Sequence, residues 1–222
     1  MNDYIDAYCE RLEPGLWAEP LNAVSNLAFF VAFALALNLA RNRNALRADV
    51  FVLLALLLAI AIGSTLFHTV AVVWAMLADT IPIALFQITF VVIYARQVIG
   101  LSWLWVGGLV ALLFLTGFAF SALPAEWANG TLGYAPAFIF LAGLGIYHWL
   151  TDQHAKRALL IAGIVFLFSM TVRSIDMAVC NQFPYGTHYA WHLLNAVVLY
   201  LCMKALIENV AEKAPPFDPA GT

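Results

Sequence analysis

Long apolar runs broken by short charged clusters organise this chain. Between Asp49 and Asp79 there is no Asp, Glu, Lys or Arg, and none again between Asp79 and Arg96. Runs of about 20 apolar residues read as bilayer-spanning helices. The pattern predicts seven of them, at 20–40, 50–70, 76–96, 102–120, 132–150, 157–176 and 188–208. The second and third have no charged loop between them. The stretch from Val50 to Ala95 is nevertheless too long for one crossing at about 20 residues per span, so a tight turn near Ala71–Ala75 is expected. The fold class is therefore an all-α membrane protein, a seven-helix bundle over 20–208, with an N-terminal segment (1–19) and a tail (209–222).

Composition agrees. The 222 residues are 64% hydrophobic and 10% charged, with mean hydropathy +0.88, whereas soluble domains average about 25% charged. The net charge of −3 is small, and the absence of a basic patch argues against a nucleic-acid partner. No obligate protein partner is evident. The first nineteen residues hold Asp3, Asp6, Glu10, Glu13 and Glu19 against a single Arg11, the reverse of a cleavable signal's basic start. The tail, with Pro215, Pro216 and Pro219, reads as short, polar and mobile.

The basic residues set the expected direction. Arg41, Arg43, Arg47, Arg96, Lys156, Arg157, Lys204 and Lys213 fall on one side of a seven-span arrangement, and only Arg11 and Arg173 on the other. The positive-inside bias puts the N-terminus outside and the C-terminus in the cytoplasm. Cys9 and Cys180 then both lie outside, where an oxidising medium permits either a disulfide or two free thiols. Cys202, within the seventh span, reads as a small packing residue.

Polar residues inside spans are costly and usually functional. Here they converge. Ser64 and His68 end the second span, Asp79 opens the third, Arg173 and Asp176 end the sixth, and His188 and His192 open the seventh. Alternating span direction brings all seven to the outer part of the bundle. His188 and His192 are i, i+4 and stack on one helix face, as do Ser64 and His68. Three neutral imidazoles with an open fourth position form a catalytic zinc arrangement. Asp79 is placed to accept a proton from a metal-bound water, and Ser64 to donate to a developing oxyanion. Arg173 and Asp176, i, i+3, read as a structural ion pair. Asn195, about a turn beyond His192, reads as a support for the site or as helix packing. His148 and His154 fall at the opposite end and read as solvated. The seven tryptophans sit near span ends, as an interfacial aromatic belt does.

The segments E-P-L-N-A-V-S-N (19–26), S-T-L-F-H (64–68), Asp79, R-S-I-D (173–176) and H-Y-A-W-H (188–192), in this order over most of the chain, resemble the alkaline ceramidase family. That family lies within a larger group of seven-helix membrane hydrolases that includes the adiponectin-receptor-like proteins. The resemblance implies zinc bound by His68, His188 and His192, with Ser64 and Asp79 completing a site that hydrolyses the amide of ceramide or a related membrane lipid. It also implies a Cys9–Cys180 disulfide. A calcium site in the N-terminal segment is implied too, with Glu10 and Glu19 as acidic ligands, although Ala7, beside Asp6, stands where the family has an aspartate. The expected location is a bacterial-type inner (cell) membrane, crossed several times, with the site near the outer face. Two alternatives share these residues: a receptor-like or scaffold protein with structural zinc, and an esterase acting on glycerolipids.

Overall fold

A computed structural model describes residues 1–124 and 126–212. Seven helices long and apolar enough to cross a membrane run through it. We label them α1 (Pro20–Asn42), α2 (Ala48–Val70), α3 (Val73–Ile99), α4 (Trp103–Ser121), α5 (Ala135–Leu150, the α-helical part of the span Trp127–Leu150), α6 (Ala158–Ile175) and α7 (His188–Glu212). The expected helices are all present. α3 starts three residues before the expected boundary and α7 runs four residues past it. Residues 213–222, with Lys213 and the three tail prolines, lie outside the described residues.

Helix packing follows side-chain size. Ala32, Ala36 and Ala40 recur every four residues on α1 and are almost wholly buried, which lets the α1 backbone approach α7 closely. α7 lies against α1, α2 and α6, whereas α4 packs mainly on α3, α5 and the turns beside them. The core below the site is filled by Leu53, Leu57, Tyr94, Leu159, Met203, Leu206 and Ile207.

Helices α2 and α3 make extensive contact with each other. The turn between them is as tight as the sequence requires: Ala71 adopts a left-handed conformation (φ 50°), and its N–H closes α2 on the Phe67 carbonyl. Pro82 inside α3 has no N–H to give to the Ala78 carbonyl one turn back. Gly63 of α2 packs against that same carbonyl, and a Cβ at position 63 would collide with it. A missing donor on one helix and a missing side chain on the other thus bring Ser64 and Asp79 to neighbouring positions.

The N-terminal segment is tied across the head of the bundle rather than left free. Ile5 N–H donates to the Ala71 carbonyl (2.9 Å), Val73 N–H to Asp3 (3.2 Å) and Trp74 N–H to Met1 (3.1 Å). Cys9 is disulfide-bonded to Cys180, with Cα atoms 5.5 Å apart, so the bridged alternative holds. Cross-linking residues 171 apart in sequence restricts the unfolded chain strongly, by about 5 kcal/mol in the chain-entropy account.

Three sequence expectations are corrected. Arg173 and Asp176 do not pair. The Asp176 carboxylate instead accepts backbone N–H groups from Cys9 (3.0 Å), Thr187 (2.6 Å) and His188 (2.9 Å). It caps the start of α7, where orphan amides and the helix dipole favour an anion, and it anchors the N-terminal segment there. Arg173 turns to the Asn129 carbonyl (2.7 Å) and Thr131 Oγ1 (3.0 Å), in a turn whose residues 128–130 all have positive φ. His148 is not solvated: it is fully buried, takes the Tyr94 hydroxyl on Nδ1 and donates from Nε2 to the His154 carbonyl (2.9 Å). His154 itself is exposed. Trp191 departs from the belt. It is buried against Tyr134 in an edge-to-face contact with centroids 4.8 Å apart, while the other six tryptophans keep at least a third of their surface open.

Candidate metal centre

α2 ends and α7 begins at the head of the bundle, so His68, His188 and His192 meet there. All three are buried, and one potential ligand atom from each lies within 4.8 Å of the other two. Their rings are packed around a common point, with centroids 4.5, 4.6 and 5.1 Å apart. His68 Nε2, His188 Nδ1 and Asp79 Oδ1 are buried with no hydrogen-bond partner among the described residues. Buried polar atoms without partners are rare and costly, and three at one point mark a site shaped for something else to bind.

The outward nitrogens explain how the rings are held. His68 Nδ1 lies 2.6 Å from Glu19 Oε2. A carboxylate accepts only, so Nδ1 carries the proton and the Nε2 lone pair is left for a ligand role. His192 Nδ1 lies 2.7 Å from Ser25 Oγ, and that hydroxyl donates its own proton to the Asn22 carbonyl (2.8 Å). Ser25 must therefore accept from His192 Nδ1–H, which again frees Nε2. Metal-binding histidines are oriented by partners of this kind on their second nitrogen. The donor set fits zinc, which takes imidazole nitrogens at about 2.0–2.1 Å; three imidazoles alone do not select it over other borderline metals.

The N-terminal segment completes the site. Tyr8 lies flat on His188 at 3.7 Å between centroids, and its burial raises the phenol pKa above the ordinary tyrosine value. Glu19 was expected among calcium ligands, yet it serves His68 instead. Burial alone would raise its pKa; hydrogen bonds from His68, Arg11 and Asn22 overcome this and hold the carboxyl below the ordinary glutamate value. Arg11, 3% exposed, ion-pairs with Glu19 and donates to the carbonyls of Gly15 (3.3 Å) and His68 (3.2 Å). Glu10 caps α1 by accepting from the Leu21 and Asn22 amides (2.7 and 2.9 Å); burial, the largest influence, pushes its pKa up.

These residues do not fit calcium. The ion takes six to eight oxygens, whereas both glutamates are engaged by N–H donors and a buried guanidinium sits beside Glu19. Among the described residues, the buried side-chain oxygens of this segment and the start of α1 left without partners are Asn22 Oδ1 and Asn26 Oδ1.

From the histidines a cavity descends between the helices. Ser64, Asp79, His188 and His192 line its head, with Tyr8 above them and Asn195 a turn below His192. Further down its walls are apolar, with Ile83, Phe86, Phe90, Leu141, Leu144 and Phe166 prominent. The lining of α3 runs from Asp79 to Val91, about 18 Å along the axis at 1.5 Å per residue. That is more than half of a hydrocarbon core about 30 Å thick.

Sequence reading found His68, His188, His192, Ser64 and Asp79; the structure clusters the three histidines and places His188, His192, Ser64 and Asp79 in the cavity wall. It missed Ser25 and Tyr8. Ser25 had a signal: with Asn22 and Asn26 it forms a polar face inside the first span, where such groups are expensive without partners. Tyr8 had none, because its place depends on the disulfide and on Asp176. No family model, curated protein or solved structure matches this chain.

Proposed function

We propose that this chain is a zinc-dependent lipid amidase similar to the alkaline ceramidases. It would hydrolyse the N-acyl amide of ceramide or a related membrane lipid to a free amine and a fatty acid. The observation that supports this best is a three-histidine cluster with free inward nitrogens at the head of a deep apolar cavity. A catalytic centre opening onto a slot for hydrocarbon is what a lipid hydrolase requires.

A zinc ion held by the three histidines would lower the pKa of a bound water and polarise the substrate carbonyl. Asp79, with one carboxylate oxygen free and buried, takes the proton released from the attacking water and returns it to the leaving nitrogen. Ser64 faces Asp79 from α2 and donates to the oxygen on which charge develops. Glu19 and Ser25 hold two of the histidines in the right tautomer, and the apolar walls keep water from the acyl chain. Arg41, Arg43, Arg47, Arg96, Lys156, Arg157 and Lys204 favour an orientation with the site towards the outside. The membrane would be a bacterial-type inner membrane.

The test is to incubate purified protein with a mixture of N-acyl and O-acyl lipids, with and without chelator, and to identify products by mass spectrometry. Chelator-sensitive release of fatty acid from the amide lipids is expected. Release from O-acyl lipids alone would make the chain an esterase. No release from either, by protein carrying a full complement of metal, would leave the ion with a structural role.

A further inference from the structure

The cavity below the metal centre is not uniformly apolar. Gln87 lines it on α3, eight residues beyond Asp79 and thus on the same helix face. Its carboxamide hydrogen-bonds no described residue. Phe86, Phe90 and Ile83 surround it on α3, with Leu141, Leu144 and Phe166 in the opposing walls. A glutamine inside a span normally finds a partner on a neighbouring helix. This one is presented to the cavity, on the path that a bound chain must follow.

We propose that Gln87 is a specificity-determining residue that recognises an oxygen substituent on the substrate's acyl chain. The expected ligand is an N-acyl lipid with a hydroxyl along its hydrocarbon, about 12 Å from the reacting carbonyl at 1.5 Å of helix rise per residue. The carboxamide offers two donors and an acceptor, so it can pair with a hydroxyl in either sense. A plain methylene chain would leave that carboxamide desolvated and unpaired, which disfavours it relative to the hydroxylated chain. Asn195, one turn below His192, is too close to the reacting centre for this role. The inference rests on the amidase reading for the reacting end, but the selectivity of the cavity can be measured without turnover.

The experiment compares two N-acyl lipids of equal length, one saturated and one with a hydroxyl about 12 Å from the amide carbonyl, as competing substrates for the full-length protein. The wild type is expected to prefer the hydroxylated lipid by about tenfold in kcat/KM, the worth of one net hydrogen bond. Gln87→Met, which keeps length and shape, is expected to bring the ratio to about one, with turnover of the saturated lipid raised because no carboxamide is left unpaired. A wild-type ratio of one, or a preference that survives in Gln87→Met, would overturn the proposal. If neither lipid is hydrolysed, the amidase reading fails, and thermal stabilisation by the same pair decides the inference separately. A larger rise in Tm with the hydroxylated lipid, lost in Gln87→Met, supports it; equal shifts overturn it.

Discussion

Each titratable residue at the head of the bundle has a role that its contacts define. Asp79 is buried with a free oxygen and lies beside Ser64, so the two divide the work of proton transfer and charge stabilisation. Asp79→Asn preserves size and is expected to keep the metal while lowering amide turnover by about 10²–10⁴-fold, the usual worth of a positioned acid–base group. Ser64→Ala removes one neutral donor and should cost about 10²–10³-fold at most. Turnover measured alongside metal content separates the two effects, and an Asp79→Asn variant at full activity would remove Asp79 from the mechanism. Ser25 never reaches the metal position. It accepts from His192 Nδ1, and Ser25→Ala should weaken metal binding by about 10–100-fold with little change in turnover once metal is saturating. Competition with a chelator of known affinity checks this; an unchanged affinity would mean that the serine serves only packing.

Between helices, the decisive contact is Gly63 on the carbonyl that Pro82 leaves free. Gly63→Ala must push α2 from α3, at a cost of about 1–3 kcal/mol for an overpacked core position. Because Ser64 follows Gly63, the variant should also lose turnover out of proportion to its loss of metal. A thermal melt and an activity assay on the same preparation test both parts, and wild-type values in each would show that the contact is not needed. The N-terminal segment behaves as an element of its own. Asp176, Arg11 and the disulfide fix it, and through Tyr8 and Glu19 it contacts two of the three histidines.

Over the whole molecule, much was legible in the sequence because a bilayer penalises polar groups so heavily. His68, His188, His192 and Asp79 stood out as exceptions within apolar runs, and alternating span direction was enough to collect them. What stayed hidden depended on backbone donors and on burial at span ends. Arg173 and Asp176 have the spacing of an ion pair, yet Asp176 is taken by three amides whose positions no side-chain pattern reveals. His148 looked solvated because sequence does not show that Tyr94 and the His154 carbonyl enclose it. Glu19 was read for calcium on the family resemblance alone, and its pairing with Arg11, eight positions away along an irregular segment, has no period to read.

The central claim is that His68, His188 and His192 together hold one metal ion at the head of the cavity. Elemental analysis of purified protein tests it most directly. About one zinc per chain is expected in the wild type, falling sharply in His68→Ala, His188→Ala and His192→Ala, since loss of one of three protein ligands severely weakens such a site. Full zinc occupancy in His192→Ala, or a wild type that binds none after zinc is supplied, would contradict it.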